Sequence, residues 1–154
     1  VRVSEESSVI ESFYGSFAAG DADGMERCYH PEVSFSDPAF PDLRGPDVMR
    51  MWRMLLDRAD DLEIVLGEHS GGGGTGTAHW TARYTFSSTG RFVVNEIDAS
   101  FRFSEGLIIE HRDSFDFWKW SRMALGAPGF FLGWSPMLRK KVQSQSALLL
   151  AATD

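Results

Sequence analysis

The chain has 154 residues, 43% hydrophobic and 13% aromatic, enough apolar material for one domain, 1–154, with a sizeable core. A formal net charge of −7 and a pI near 5.0 argue against nucleic acid as a partner, since that surface needs a clustered basic stripe. The single cysteine, Cys28, excludes an internal disulfide and a multi-cysteine metal site and suits a reducing cytoplasm. No signal peptide is recognisable, and the apolar run from Ala147 to Ala152 is far shorter than the roughly 20 residues of a spanning helix, so no membrane partner is expected.

Ser4 before Glu5 and Glu6 reads as a helix start, and Val9, Ile10, Phe13, Tyr14 and Phe17 recur at helical spacing. This predicts a first helix over about 4–19, stopped by Gly20. Asp23 with Glu26 reads as a capping box for a short second helix running toward Tyr29. Residues 33–36 are extended, and Pro38 biases Asp37 to an extended backbone, which fixes the direction of a carboxylate near a strand end. Gly45-Pro46 with Asp47 opens a third helix to about Arg58, with Val48, Trp52, Leu55 and Leu56 on one stripe.

After Asp61 the pattern changes to period two, predicting strands near 62–69, 77–87, 91–103 and 107–117. Gly71 to Gly74 reads as a hairpin loop, because a phosphate cradle would be followed by a helix with Lys and Ser or Thr. Helices first and an antiparallel meander afterwards mean an α+β fold. Trp118, Trp120, Phe130, Phe131 and Trp134 then precede a helix opened by Ser135-Pro136 and running to about Leu150. So many aromatics after the core strands imply a lid or a partner surface in an extension over 118–154. The basic cluster Arg139-Lys140-Lys141 reads as a solvated helix face, with a patch for an anionic partner as the alternative.

Turn positions predict the pairing. A turn at Ser104-Glu105-Gly106 sets Phe101 opposite Ile109, Ala99 opposite His111 and Ile97 opposite Asp113. A turn centred on Ser88-Thr89 sets Trp80 opposite Ile97, Ala82 opposite Asn95 and Ala78 opposite Ala99. His111 and Asp113 then share an apolar face with Trp80, Tyr84, Asn95 and Phe115, and with Leu107, Ile109 and Phe117 on their own strand. Polar groups on such a face mark a lined pocket, because an unpartnered buried carboxylate is costly. The opposite face carries His79, Asp98 and Arg112 and faces water or a second subunit.

Ala19-Gly20-Asp21-Ala22-Asp23-Gly24, Phe35-Ser36-Asp37-Pro38, Phe101-Arg102-Phe103 and His111-Arg112-Asp113-Ser114-Phe115-Asp116 together resemble the NTF2-like superfamily, its SnoaL-like and ketosteroid-isomerase-like members. The resemblance spans residues 5–120 and implies a cone-shaped α+β fold, helices closing a strongly curved sheet around a small-molecule cavity. By its place before Pro38, Asp37 matches the general base of ketosteroid isomerases. Phe13 and Ala99 stand where that family has its oxyanion-hole tyrosine and protonated acid, so the donors would have to come from Tyr14, Tyr84 or His111. The His111 to Asp116 segment is also similar to the Trp-Arg-Asp-Tyr-Phe-Asp stretch of limonene-epoxide-hydrolase-like enzymes, where the acid matching Asp113 handles water or an epoxide. The second acid of that mechanism has no counterpart over 80–84.

The expected catalytic residues are therefore Asp37 as base and His111 with Asp113 as a proton-handling pair. Phe13, Tyr14 and Trp52 from helices and Trp80, Tyr84, Asn95 and Phe115 from strands are expected to line an apolar cavity. No cofactor or metal is expected, since His111 and Asp113 lack a third ligand. Two functions stay open: acid–base chemistry on an apolar carbonyl or polycyclic substrate, or a module that binds a hydrophobic ligand or dimerises. A raised carboxylate pKa near Asp113 would favour the first. A cavity filled by Trp52, Trp80 and the C-terminal aromatics would favour the second. A homodimer through the polar sheet face is expected in either case.

Overall fold

The Ser4 side chain accepts the Ser7 N–H at 3.0 Å and so caps α1 (Glu5–Ala18), whose Ile10, Phe13, Tyr14 and Phe17 are buried. The computed structural model describes residues 4–153; positions 1–3 and 154, the ends of the expected domain, lie outside the described residues. The cap of α2 (Ala22–Glu26) is Asp21, which accepts from the Gly24 N–H at 3.0 Å. The expected cap, Asp23, instead pairs with Arg53 at 2.8 Å. After β1 (Tyr29–Ser36) and the short β2 (Leu43–Arg44), α3 (Pro46–Arg58) turns Val48, Met49, Met51, Trp52 and Met54 inward, while Leu55 and Leu56 are only partly buried.

The strands β3 (Glu63–Gly72), β4 (Thr75–Phe86), β5 (Arg91–Ser104) and β6 (Leu107–Ser114) complete a six-stranded sheet in the order β2-β1-β6-β5-β4-β3. All its pairs are antiparallel except β1 with β6, so the sheet is mixed and open. Gly73 and Gly74, at φ of +63° and +84°, make the two-residue turn from β3 to β4. The β4–β5 register is the expected one, with Trp80 facing Ile97 and Ala82 facing Asn95.

The β5–β6 register differs from the expectation. Glu105 and Gly106 form a tight turn with φ of 56° and 78°, and the ladder then slips between Arg102 and Phe103. The slip makes Ile109 an extra residue in β6, so Phe101 faces His111 and Ala99 faces Asp113. Ile108, not Leu107 or Ile109, is the fully buried residue of this stretch. Register shifts also occur between β1 and β6 and between β3 and β4, and bulges of this kind bend and twist a sheet into the wall of a cone.

β6 ends at Ser114, not near 117, because Asp116 becomes the N-cap of α4 (Phe117–Leu125), accepting from the Lys119 N–H at 3.0 Å. Then follow α5 (Ala127–Leu132) and α6 (Pro136–Ala151), the latter capped by Ser135. The main core lies between α1, α3 and the inner sheet face; a second cluster of Val93, Phe117, Trp120 and Ala124 sits under α4, joined to the first by Tyr84 and Phe115. Leu150 of α6 reaches the main core. Arg50 donates to the Thr153 carbonyl at 3.0 Å, and Gln143 donates to the Pro38 carbonyl at 3.0 Å. The C-terminal helices are therefore tied to α3 and to the loop that carries Asp37.

Candidate functional site

The bulge phases β6 so that both His111 and Asp113 point inward, and both are buried. His111 is ringed by Phe101, Phe35 and Phe13 at centroid distances of 4.6, 5.0 and 5.6 Å, with the Trp52 ring stacked at 6.2 Å. Its two nitrogens are both occupied, Nδ1 by the Tyr29 hydroxyl at 2.8 Å and Nε2 by Asp113 Oδ1 at 2.9 Å. Tyr29 in turn accepts from Trp52 Nε1 at 3.0 Å. Each link carries one hydrogen when the Tyr29 O–H donates to Nδ1 and Nε2–H donates to Asp113. Trp80 Nε1 adds a longer bond to Asp113 Oδ1 at 3.4 Å, which leaves Oδ2 without a protein partner among the described residues.

Tyr29 is the member that sequence reasoning missed. The sequence pattern runs a short helix toward it, but Tyr29 opens β1, and its partner His111 is 82 positions away. No local pattern signals such a bond.

Asp37 sits at the end of β1, where Oδ1 accepts the N–H groups of Ala39 at 2.7 Å and Phe40 at 2.6 Å. This is a turn carboxylate in its local geometry. Burial nevertheless pushes its pKa up to about 7, the two turn N–H groups opposing the rise and the negative charge of Asp113 adding to it. Its Oδ2 has no protein partner among the described residues.

The expected lining residues are brought together with unequal roles. Phe13 packs edge-on to His111 and Tyr29, and Trp52 belongs to the hydrogen-bonded chain. Tyr14, one residue beyond Phe13, tilts against Trp80 at 5.5 Å, and its hydroxyl is buried with no hydrogen-bond partner. Burial first and the Asp113 charge second raise the Tyr14 pKa, so the phenol stays protonated and can only gain from an acceptor. Tyr84 accepts from Trp120 Nε1 at 2.9 Å and keeps its own hydrogen free among the described residues; burial and then, more weakly, the Asp37 charge raise its pKa. Asn95 is buried on β5, and its amide makes no hydrogen bond among the described residues. Phe115 is partly buried between the two core clusters.

Trp52, Trp80 and Trp120 are all buried, so aromatic side chains occupy much of the space behind the sheet. Two open concavities lie elsewhere. A groove of about 1160 Å³ on the outer sheet face is lined by His69, His79, Asp98, Ser100, Arg112 and Ser114. A cleft of about 550 Å³ beside α4 is lined by Arg91, Phe92, Lys119, Arg122 and Met123. Neither includes Asp37 or Asp113, and no group of three or more potential metal ligands is found among the described residues.

A model of the SnoaL-like domain family matches residues 10–111. No curated protein matches the chain. Among solved structures, an NTF2-like protein of unknown function from Burkholderia pseudomallei is 18% identical at a TM-score of 0.68, covering 79% of this chain and 98% of its own. IdmH of Streptomyces antibioticus, a proposed polyketide cyclase, is 20% identical at 0.67, covering 79% and 99%. An epoxide hydrolase of M. tuberculosis, similar to limonene epoxide hydrolase, is 18% identical at 0.67, covering 79% and 90%. At these identities the likeness to solved structures shows the NTF2-like cone fold.

Proposed function

The chain belongs to the SnoaL-like family, and from that premise we propose that it binds an apolar small molecule behind the sheet and does acid–base chemistry on its carbonyl group, as a ketosteroid-isomerase-like or polyketide-cyclase-like enzyme would. The observation that carries this reading is Asp37: a carboxyl with a midpoint near 7 that keeps one oxygen free and is influenced by Asp113, the same acid whose charge acts on the buried Tyr14 hydroxyl that lacks an acceptor. A base is most useful when its pKa lies near the working pH.

In this mechanism ionised Asp37 takes a proton from the carbon beside the carbonyl. The electron pair moves onto the carbonyl oxygen, and the Tyr14 O–H stabilises the resulting enolate. Asp37 then returns the proton to a different carbon, or the enolate carbon attacks a second carbonyl of the same molecule and closes a ring, the alkoxide formed at that carbonyl taking the proton back from Asp37. Asp113 sets the potential at Asp37, while His111, Tyr29 and Trp52 hold Asp113 in place as positioning residues. Asn95 and Tyr84 offer further polar contacts, with Trp80 and Phe115 as apolar walls.

The experiment is α-proton exchange of apolar ketones in deuterated water, followed by mass spectrometry. Exchange should disappear in Asp37→Asn and fall roughly 100-fold in Tyr14→Phe, the size of losing one oxyanion donor. The second reading, a non-catalytic module for a hydrophobic ligand, is favoured by the burial of Trp52, Trp80 and Trp120. Quenching of tryptophan emission by an apolar ligand without exchange of any ketone would select it.

In either case the reading includes one domain over 1–154, its 118–154 extension lying beyond the matched 10–111, and a cytoplasmic setting. It also includes a homodimer through the outer sheet face. Arg112→Glu should convert that dimer to a monomer in light scattering, whereas wild-type protein that is already monomeric would remove the dimer from the proposal.

A further inference from the structure

The charges of this chain are divided unequally. Residues 117–153 hold five cationic side chains and no carboxylate, whereas residues 1–116 hold ten cationic and 21 acidic ones. The basic end is also where large apolar side chains lie open. Phe130, Phe131, Leu132, Trp134 and Met137 are between 50% and 77% exposed, all on α5 and the turn into α6. At about 200 Å² per large side chain, the open parts amount to on the order of 600 Å², the size at which an apolar patch marks an interaction site. Arg139, Lys140 and Lys141 follow within two turns and are exposed. On the other side Arg122 stacks over Trp118 at 4.2 Å, and Trp118 donates to the Phe130 carbonyl at 3.1 Å.

A second copy of the chain is a poor occupant for this patch. Pairing the patch with itself would oppose two surfaces of the same positive sign. Docking it on the acidic body of another copy would be head-to-tail, which grows open chains unless the rotation happens to close. We propose that the α5–α6 corner is a docking surface for an anionic lipid bilayer. Phe131 and Trp134 enter the headgroup boundary, and Lys140 and Lys141 supply cations beside it, while the Arg139 guanidinium lies over the Phe117 ring at 5.1 Å. Trp and Phe favour that boundary, and a nearby cation strengthens attachment about fivefold. No helix of the described residues is long and apolar enough to cross a membrane, and surface docking needs none. The acidic body is meanwhile repelled, so the two ends together orient the molecule with α5 toward the lipid.

The test is co-sedimentation of the full chain with vesicles of phosphatidylcholine alone or mixed with phosphatidylglycerol, at low and high salt. Binding is expected to the mixed vesicles, weakening with salt. It should fall about 25-fold in Lys140→Gln/Lys141→Gln at about fivefold per cation, and vanish in Phe131→Ser/Trp134→Ser with the circular dichroism unchanged. The absence of binding to mixed vesicles at low salt overturns the proposal, as does equal binding by the variants. Two alternative results also overturn it. Self-association lost in Phe131→Ser/Trp134→Ser without vesicle binding assigns the patch to a second copy, and capture by polyglutamate but not by vesicles assigns it to an acidic protein.

Discussion

Replacing Asp37 by asparagine should make the protein more stable at alkaline pH, an unusual outcome for a change at a candidate catalytic residue. Asparagine keeps a side-chain oxygen for the Ala39 and Phe40 N–H groups, so the turn survives while the charge is removed. Folding raises the midpoint of this carboxyl from 3.8 to about 7. The sign is therefore the reverse of a salt-bridged aspartate: the folded state holds the proton more tightly, and stability from this group is lost as pH rises from about 4 to about 7. At about 1.4 kcal/mol per pH unit, the full loss is about 4 kcal/mol. Asp37 is only partly buried, and water reaching its free oxygen screens part of that, so a gain of about 2 kcal/mol is expected for Asp37→Asn at pH 8.5. At pH 4 the two proteins should be equal. Urea denaturation at both pH values measures this, and thermal unfolding should rise by roughly 4–8 °C at the higher pH. An equal stability difference at the two pH values, or a less stable variant at pH 8.5, would refute the reasoning.

Other expectations rest on single contacts. Ketone exchange should rise with pH through about 7, and Asp113→Asn should move that midpoint downward by removing the negative charge that helps to raise it; an unmoved profile would separate Asp113 from the site. His111→Ala strands Tyr29 and Asp113 and leaves a void among Phe13, Phe35 and Phe101, and should cost about 3 kcal/mol in denaturant titration. Gly129→Ala places a Cβ against the Ser121 carbonyl where α5 crosses α4, and should cost about 2 kcal/mol and speed proteolytic cleavage within 117–153.

The helices α1, α3 and α6 and the β4–β5 hairpin were legible because each follows from a local period, a start signal or a turn of known length, whereas α5 was not foreseen. The β5–β6 register was not, because it depends on Glu105 taking a positive φ and on an extra residue at Ile109, and neither has a sequence signal as strong as Asn-Gly or a paired glycine. The error still left His111 and Asp113 on the inner face, since a slip of two residues preserves the alternation. The start of α4 was legible in principle, because Asp116 before an aromatic run is a standard cap; the expected strand was carried past it by the period of Phe115 and Phe117. The Tyr29 and Trp52 links were out of reach because they join β1, α3 and β6, and only the assembled cone brings those three together.

The sequence departs from the ketosteroid-isomerase pattern at Phe13 and Ala99, and the structure shows which groups lie beside those two positions. Phe13 replaces the family's tyrosine, but the helix brings both Phe13 and its neighbour Tyr14 into the core, and Tyr14 carries the unpartnered hydroxyl. Ala99 replaces the family's acid, and the residue directly across the ladder from Ala99 is Asp113. A carboxylate at position 99 would face Asp113 with like charge at cross-strand distance, which is destabilising; the small side chain avoids that repulsion. Under the proposed acid–base reading the Tyr14 hydroxyl and the Asp113 carboxyl would stand in for those two groups, with Asp37 at the end of β1 as the base. Tyr14→Phe and Asp113→Asn, rather than changes at positions 13 and 99, are therefore the substitutions that should separate exchange activity from folding.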